Sequence, residues 1–516
     1  MTAKFDVIVI GAGMGGLSAA TMLARNGLSV LLLERHNVPG GYATSFVRGR
    51  YEFEVALHEL SGIGAADRPG TLYRYLDYLG VAGKLEFHRL PNLYRTVVLD
   101  ERAESRIDLD VTMPAGREPY EAKLCQLFPR EARGIRRFLE RVFDLGRDYG
   151  RLARQRGQAG HPLTFPFRFP HLFRYLPVTT AQVLNRDVRD PRVRTVLASY
   201  WGYCGLEPSR LSFLYFAIGL AAYVKQGAAF PKGRSQALSN AFLARFEELG
   251  GLARLNCGVA TITTRPDGRV TGVITEQGEE YAADWIISNA DPVATCRRLI
   301  GEDRVPASFF RNLQSSEVGV STLNVYLGVA RPPETLGINE HELFLSVGYD
   351  ADRHAEEMRR LGAPKSIGVG CYNFACPTIS PPGASIVTLI ALTQGDLWYA
   401  VPPSEYVNVK NRMADAMIRL TERVAPGLRD ATEVVEVATP LTNMRYAGAL
   451  GGSIYGFAQP PRDNVAWRMG PKGPVEGLYF AGAWTQPGGG FETAIASGQI
   501  AAGRILSKIK KRTEEA

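Results

Sequence analysis

Apolar positions at the start of the chain form a near-continuous run, Phe5 to Ile10 (FDVIVI), which predicts a central parallel strand covered on both faces. Gly11-Ala12-Gly13-Met14-Gly15-Gly16 follows at once. A helical stretch then runs from Leu17 to Asn26, Gly27 ends it, and Leu28 to Leu33 gives a second strand closed by Glu34. Strand, glycine turn, helix and strand in that order predict a βαβ unit. Toward the other end, Leu478 to Ala481 reads as a short buried strand ending in Gly482. A glycine-rich loop, Pro487 to Gly490, then leads into a helix beginning near Phe491 and Glu492. In between, Ile135, Phe138, Leu139, Val142, Phe143 and Tyr149 recur at helical spacing, with Arg136, Arg137, Arg141, Arg147 and Arg151 interleaved. The longest apolar run, Leu211 to Val224, is broken by Ser212 and Gly219 and is too short to span a bilayer.

The opening unit carries chemistry. Gly11 permits the tight turn, Gly13 lets backbone approach a pyrophosphate, and Gly16 allows close helix–strand packing. Ala12, Met14 and Gly15 complete a turn that sets phosphates on a helix N-terminus, where free N–H groups and the macrodipole favour anions. Glu34 lies where a carboxylate accepts hydrogen bonds from ribose hydroxyls, and Arg35 follows it. A glycine-rich turn in an ordinary α/β fold would leave Glu34 unexplained, so the pattern predicts dinucleotide binding. Gly368-Val369-Gly370 and Gly62-Ile63-Gly64 lack the flanking strand–turn–helix, and no second nucleotide domain is expected.

A chain of 516 residues exceeds what one core usually serves, and two interlocked domains are expected. Contents of 45% hydrophobic and 22% charged residues are ordinary for a globular protein. The six cysteines make neither a disulfide framework nor a metal site, since the closest pair, Cys371 and Cys376, has no histidine at ligand spacing. A formal charge of +8 admits nucleic acid or an anionic membrane, but no helix-turn-helix, zinc finger or RNA-binding aromatic signature accompanies it. Met1 to Ile10 enters a buried strand with no basic leader, which predicts a cytoplasmic protein.

After Glu34 comes Val38-Pro39-Gly40-Gly41-Tyr42-Ala43-Thr44. A GG pair at this place resembles the amine oxidase and phytoene desaturase class of flavoproteins. There the glycines let the chain pass close to the pyrophosphate and ribityl of FAD. The resemblance implies that Gly40, Gly41, Tyr42 and Ala43 contact the cofactor. Tyr281 to Pro292 (YAADWIISNADP) is similar to the strand and turn that carotenoid desaturases, carotenoid isomerases and retinol saturases place against the flavin, which implicates Asn289 and Ala290. Pro231 to Gly251, then Leu255 to Ile262, resembles their helix and following strand, in which Val259 would contact the adenine end. Gly477 to Gly498 (GLYFAGAWTQPGGGFETAIASG) resembles the strand, loop and helix that close over the flavin, bringing in Gly482, Ala483, Phe491, Glu492 and Thr493. The family commonly has Asp where this chain has Ala483. Independently of the resemblance, a helix start near Phe491 offers N–H groups suited to the electron-rich pyrimidine edge of a reduced flavin. Tyr51 to Gly64 is similar to the FDxGxH segment of the retinol saturase and carotenoid isomerase branch: Phe53 matches, Glu54 replaces Asp, Ala56 replaces Gly, and His58 falls on the family's histidine. His58 is either a proton donor or acceptor beside the flavin or a packed residue orienting its loop.

The resemblance implies an α/β fold: a Rossmann-like FAD-binding domain of the p-hydroxybenzoate hydroxylase type, interleaved with a mixed α+β substrate domain. The FAD-binding parts are expected at 1–75, 226–300 and 431–516, and the substrate domain at 76–225 and 301–430. Tyr200, Trp201 and Tyr203, followed by Phe213, Tyr215, Phe216 and Tyr223, would line an apolar tunnel or fill a plain core. The implied activity is FAD-dependent oxidoreduction at C–C or C=C bonds of a polyene or other long unsaturated isoprenoid-type lipid, without a metal. Oxygen or a membrane quinone is the expected acceptor if the reaction is oxidative. An amine oxidase shares the fold but relies on an aromatic cage, to which Trp484 could belong, and a lysine, of which the flavin motifs hold only Lys232. A non-catalytic prenyl-lipid carrier of the Rab escort type would not need the GG pair. The basic amphipathic stretch 130–156, continued by the aromatic and basic Phe165 to Tyr175, suits an anionic bilayer surface.

Overall fold

The structure is a computed structural model that describes residues 3–103, 106–154, 164–464 and 467–515. The opening apolar run forms the strand Ala3–Ile10 in a seven-stranded sheet. Val7 and Val9 face one hydrophobic cluster, Ile8 and Ile10 another, and this two-sided burial explains why the run does not alternate. On one side Ala3–Ile10 pairs in parallel with Val30–Leu33, which pairs in turn with Leu252–Arg254. On the other side lies Glu280–Ser288, also parallel. The far edge of that strand is shared: its first residues meet Val270–Thr275 in a hairpin with Val259–Thr264, and Ile286–Ser288 meet Leu478–Phe480.

Two local expectations shift. The first helix is Met14–Arg25, so it begins inside the glycine motif rather than at Leu17. The strand expected over 255–262 is split: the Asn256 N–H bonds to the His36 carbonyl and that of Cys257 to the Glu34 carbonyl. That turn, with Asn256 at φ +52°, separates Leu252–Arg254 from Val259–Thr264.

A second seven-stranded sheet has the order Thr432–Ala438, Ser321–Val329, Ser385–Thr393, Ser366–Cys371, Glu342–Val347, Asn92–Leu99, Ile107–Pro114. All neighbours are antiparallel except Glu342–Val347 beside Asn92–Leu99. Thr432–Ala438 carries this sheet beyond residue 430, where a return to the first sheet is expected from sequence, because its backbone pairs along Ser321–Val329.

Apart from the strand Phe87–Arg89, the described elements in the rest of the 76–225 segment are helices. Ala132–Arg154 packs on Phe213–Gln226, and its Ile135, Phe138, Leu139, Val142 and Phe143 are buried in the main core. This corrects the expectation that the amphipathic stretch 130–156 lies on a bilayer, as far as residue 154, the last described there. Its apolar side is already used in folding. Its exposed face is laced by pairs of Arg136 with Glu121, Arg141 with Asp187, Arg147 with Asp144 and Arg151 with Asp148. The short helices Phe165–Arg168 and Pro170–Tyr175 follow, and they leave Phe167 86% and Phe173 50% exposed. Among the described residues no helix is long and apolar enough to cross a membrane.

Candidate functional site

The glycine turn, the GG pair and the carboxyl-terminal loop meet at the carboxyl ends of the parallel strands, where open α/β sheets bind ligands. The Gly40 N–H bonds to the Ala12 carbonyl at 2.8 Å, which fixes the GG pair against the first turn. Gly40 and Gly41 have φ of +126° and +63°, a conformation that other residues adopt only under strain. At Gly15 a Cβ would lie 2.6 Å from the Gly482 nitrogen and 2.5 Å from Asn289 Oδ1. Only glycine lets the first helix approach the closing loop this nearly. The Asn289 Oδ1 is buried and has no hydrogen-bond partner in the structure. A glycine cradle with an orphaned acceptor fits a cofactor pyrophosphate and its sugar hydroxyls.

Glu34 sits at the end of Val30–Leu33, and its carboxylate accepts the Ala12 N–H at 2.6 Å and the His36 N–H at 2.8 Å. It braces the glycine turn, with lone pairs left for ribose hydroxyls. The bond from Cys257 N–H to the Glu34 carbonyl carries the following residues to this end of the sheet, and Val259 is buried with Ile8, Ile10, Leu31 and Leu33. Arg35 is exposed, its guanidinium near the Arg445 carbonyl.

From the cradle a cavity of about 1510 Å³ runs between the two sheets. Typical small-molecule pockets measure roughly 300–1,000 Å³, so this one has room for a cofactor end and a long second ligand. Met14, Gly13, Gly15, Gly40, Gly41, Tyr42, Ala43, Asn289, Gly482, Ala483, Phe491, Glu492 and Thr493 line it, together with His58 and the four expected substrate residues Tyr200, Trp201, Tyr203 and Trp484. Gly11, Ala12, Gly16, Glu34, Arg35, Val259 and Ala290 lie off the cavity, in the turns behind it or toward the Glu34 end of the sheet. Much of the wall is apolar, with Phe143, Tyr149, Phe216, Leu220, Phe344 and Leu392, while Arg68, Arg74, Arg117, Arg147, Arg151 and Lys225 also line the cavity. Trp484 also packs edge-on against Phe457, with ring centroids 4.9 Å apart, so it serves the core as well. Phe213 does not reach the cavity; it packs on Phe138 and Tyr175. Lys232 pairs with Glu86 at 2.8 Å, away from the cavity, which removes it as an amine-oxidase lysine.

Around His58 the wall is polar. His58 Nδ1 lies 3.0 Å from Glu342 Oε2, and the ring stacks obliquely on Tyr203 with centroids 5.5 Å apart. His341 Nε2 donates to the His58 carbonyl at 2.5 Å, and burial holds its imidazole down at about 4, hence neutral. Buried Glu54 holds the loop leading to His58, accepting the Ala56 and Leu57 N–H groups and the Ser235 hydroxyl. Next to His58, Glu59 accepts the Tyr200 hydroxyl at 2.7 Å, while its second oxygen, Oε2, is buried with no partner in the structure. Burial, and then the charge of Glu342, push the Glu59 carboxyl well above the usual carboxylate range. Glu492, in the first turn of Phe491–Glu515, accepts the Ser61 hydroxyl at 2.9 Å, and burial raises its carboxyl to about 7. The Thr493 hydroxyl is taken by the Gly489 and Gly490 carbonyls.

Sequence reasoning reached His58 but missed Glu59, Glu342, Phe344 and Arg468. A signal existed: the tripeptide His-Glu-Leu occurs at 58–60 and again at 341–343, and the two copies bond to each other at the cavity wall. Arg468 is 2% exposed, and its guanidinium donates to the carbonyls of Tyr455, Phe457, Ala458 and Ala483. It fixes the backbone around Ala483, where the family's Asp is absent.

The profile of flavin containing amine oxidoreductases matches residues 14–506. An all-trans-retinol 13,14-reductase of Danio rerio is 24% identical, over 92% of this chain and 82% of its own length. Prolycopene isomerase 1, chloroplastic, of an Oncidium hybrid cultivar is 25% identical, over 98% and 84%. A phytoene desaturase (lycopene-forming) of Pseudescherichia vulneris is 27% identical, over 98% and 99%. Among solved structures, an oxidoreductase from Methanosarcina mazei superimposes with a TM-score of 0.64 at 17% identity, covering 98% of this chain and all of its own, which shows the fold.

Proposed function

This chain belongs to the flavin containing amine oxidoreductases, with FAD as its cofactor, and from that premise we propose that it acts on C–C or C=C bonds of a polyene or other long unsaturated isoprenoid-type lipid. The observation that carries the reading is the continuous cavity leading from the glycine cradle into largely apolar, aromatic walls. A lipid chain buried there leaves water, and a dry pocket keeps the reacting bond from side reactions with water. Three relatives, named as a retinol 13,14-reductase, a prolycopene isomerase and a phytoene desaturase, align with this chain over most of their length, which supports the substrate class.

In this reading Gly11, Ala12, Gly13, Met14, Gly15 and Gly16 hold the pyrophosphate with Gly40 and Gly41. Glu34 takes the ribose, and Arg35 and Val259 belong to the adenosine end. Tyr42, Ala43, Asn289, Ala290, Gly482, Ala483, Phe491, Glu492 and Thr493 surround the remainder. When bound, FAD supplies the two-electron hydride chemistry. The chain's own residues orient and desolvate: Tyr200, Trp201, Tyr203 and Phe344 flank the lipid, and Arg468 holds the Ala483 turn in shape. His58 is tied on two sides, by Glu342 at its ring and His341 at its carbonyl, which favours an orienting part over free proton exchange.

The substrate class also bears on where the protein works. Exposed Phe167 and Phe173, beside Arg168 and Arg174, form a patch suited to the interface of an anionic bilayer, from which such a lipid would be drawn. Anaerobic mixing of the oxidised and the reduced holoenzyme with carotenoids, retinoids, unsaturated fatty acids and amines tests the reading. A polyene that changes the flavin absorbance, or is itself converted, supports it; reaction with amines alone would replace it with an amine oxidase.

A further inference from the structure

Two carboxyls of the polar wall have a partner on one oxygen and none on the other: Glu342, whose partner is the His58 ring, and Glu59, whose partner is a tyrosine. Its Oε1 accepts the Tyr200 hydroxyl at 2.7 Å, its backbone carbonyl accepts the Tyr223 hydroxyl at 3.2 Å, and its Oε2 is buried and unpartnered. The residue is 5% exposed and lines the cavity. The groups that face it are His58, Tyr94, Tyr200, Tyr203, Tyr223 and Glu342. His58 Nδ1 lies against Glu342, so the ring gives Glu59 no hydrogen bond. A buried carboxyl beside a second carboxyl keeps its proton, and a tyrosine that donates to Oε1 leaves the Glu59 proton on Oε2, the oxygen without a partner.

We infer that Glu59 is the proton donor of the reaction in this cavity, with Tyr200 as its positioning residue. The inference rests on the polyene reading above and gives it a direction. The Glu59 O–H bond would break to give its proton to one carbon of a C=C bond, while FAD, once reduced by an external two-electron donor, would supply the hydride to the neighbouring carbon. The double bond would become a single bond, the cofactor would return to its oxidised form, and the Glu59 carboxylate would regain a proton from water. A cavity whose resting acid is protonated delivers protons; a desaturase would need the carboxylate. Saturation of an unsaturated lipid is therefore the reaction the cavity favours. Glu342 holds the His58 ring and His341 the His58 carbonyl, and burial keeps the Tyr200 hydroxyl protonated as the donor.

The test compares wild-type holoenzyme with Glu59→Gln, Glu59→Asp and Tyr200→Phe. Infrared difference spectra at neutral pH are expected to show a protonated-carboxyl C=O band that Glu59→Gln lacks and Tyr200→Phe moves to higher frequency. Reoxidation of the reduced flavin by the polyene is expected to slow by about 10²–10⁴-fold in Glu59→Gln, the range of general acid catalysis, with partial return in Glu59→Asp and unchanged flavin content. The inference is overturned if Glu59→Gln reacts within about threefold of wild type, a change too small for a lost acid, or if the infrared band survives it. Wild-type enzyme inert toward every polyene defeats the substrate reading instead, and the infrared comparison still decides whether Glu59 carries the proton.

Discussion

Replacing Glu492 by Gln tests the electrostatics of the cavity without reference to any substrate. The carboxyl is buried at the start of the closing helix, bonded to Ser61, and raised from 4.5 to about 7 by loss of hydration, with the Ser61 bond and Arg74 opposing that rise. Folding therefore binds a proton at this site. Below pH about 4.5 both folded and unfolded chains are protonated, and the site contributes its full stability. As the pH rises toward about 7 the unfolded chain releases the proton first, and stability falls by about 1.4 kcal/mol per pH unit. Between 4.5 and about 7 the loss sums to about 3 kcal/mol, an order-of-magnitude figure that levels off above 7. An unfolding entropy of about 2.1 cal/mol/K per residue over 516 residues makes this about 3 °C in Tm. The amide of Gln has nearly the same shape, can keep the Ser61 bond and does not titrate. Thermal unfolding of wild type and Glu492→Gln, followed from about pH 5 to about pH 8, is expected to show similar stability in acid and a variant about 3 °C more stable in alkali. Parallel curves, or a variant less stable at the alkaline end, would show that Glu492 is ionised in the folded protein and refute the reasoning.

Gly15→Ala places a Cβ 2.6 Å from the Gly482 nitrogen, and overpacking of about 1–3 kcal/mol there should weaken FAD binding by at least about fivefold, measured by flavin fluorescence titration; wild-type affinity would remove the cradle from the account. Arg468→Met keeps the stem and leaves four carbonyls without their donor. It should cost about 3 kcal/mol or more and lower the flavin content of the purified protein, whereas an unchanged melting curve would mean water replaces the guanidinium. Phe167→Ser with Phe173→Ser should reduce sedimentation with anionic vesicles severalfold while leaving unfolding unchanged; equal sedimentation of the double variant would discard the membrane patch.

The parts of this fold that could be read from sequence are those whose cause is local. The turn at 11–16 needs Gly11 and Gly16 for its own backbone and Gly13 and Gly15 for the approach of Asn289 and Gly482, and the pattern still appears whole within one short stretch. The helix after it, the strand Glu280–Ser288 and the closing helix from Phe491 are likewise set by nearby residues. The second sheet is not local: Asn92–Leu99 pairs with Glu342–Val347, and no short pattern announces a partner so distant in the chain. The same distance hid the polar wall, since Glu59 and Glu342 look like ordinary charged positions until the fold sets them on one cavity. The arginine-rich helix shows a different limit. Amphipathic spacing states that one face is apolar, and only the packing of Ile135, Phe138 and Val142 in the main core says that the face meets protein rather than lipid.

Anaerobic stopped-flow of the FAD-loaded protein bears most directly on the central claim that one cavity joins a flavin to a long unsaturated lipid. The account predicts that the photoreduced flavin regains its oxidised absorbance when mixed with at least one polyene, and that the polyene loses a double bond. It is contradicted if the protein takes up no FAD, or if neither oxidised nor reduced flavin responds to any polyene while an amine bleaches it.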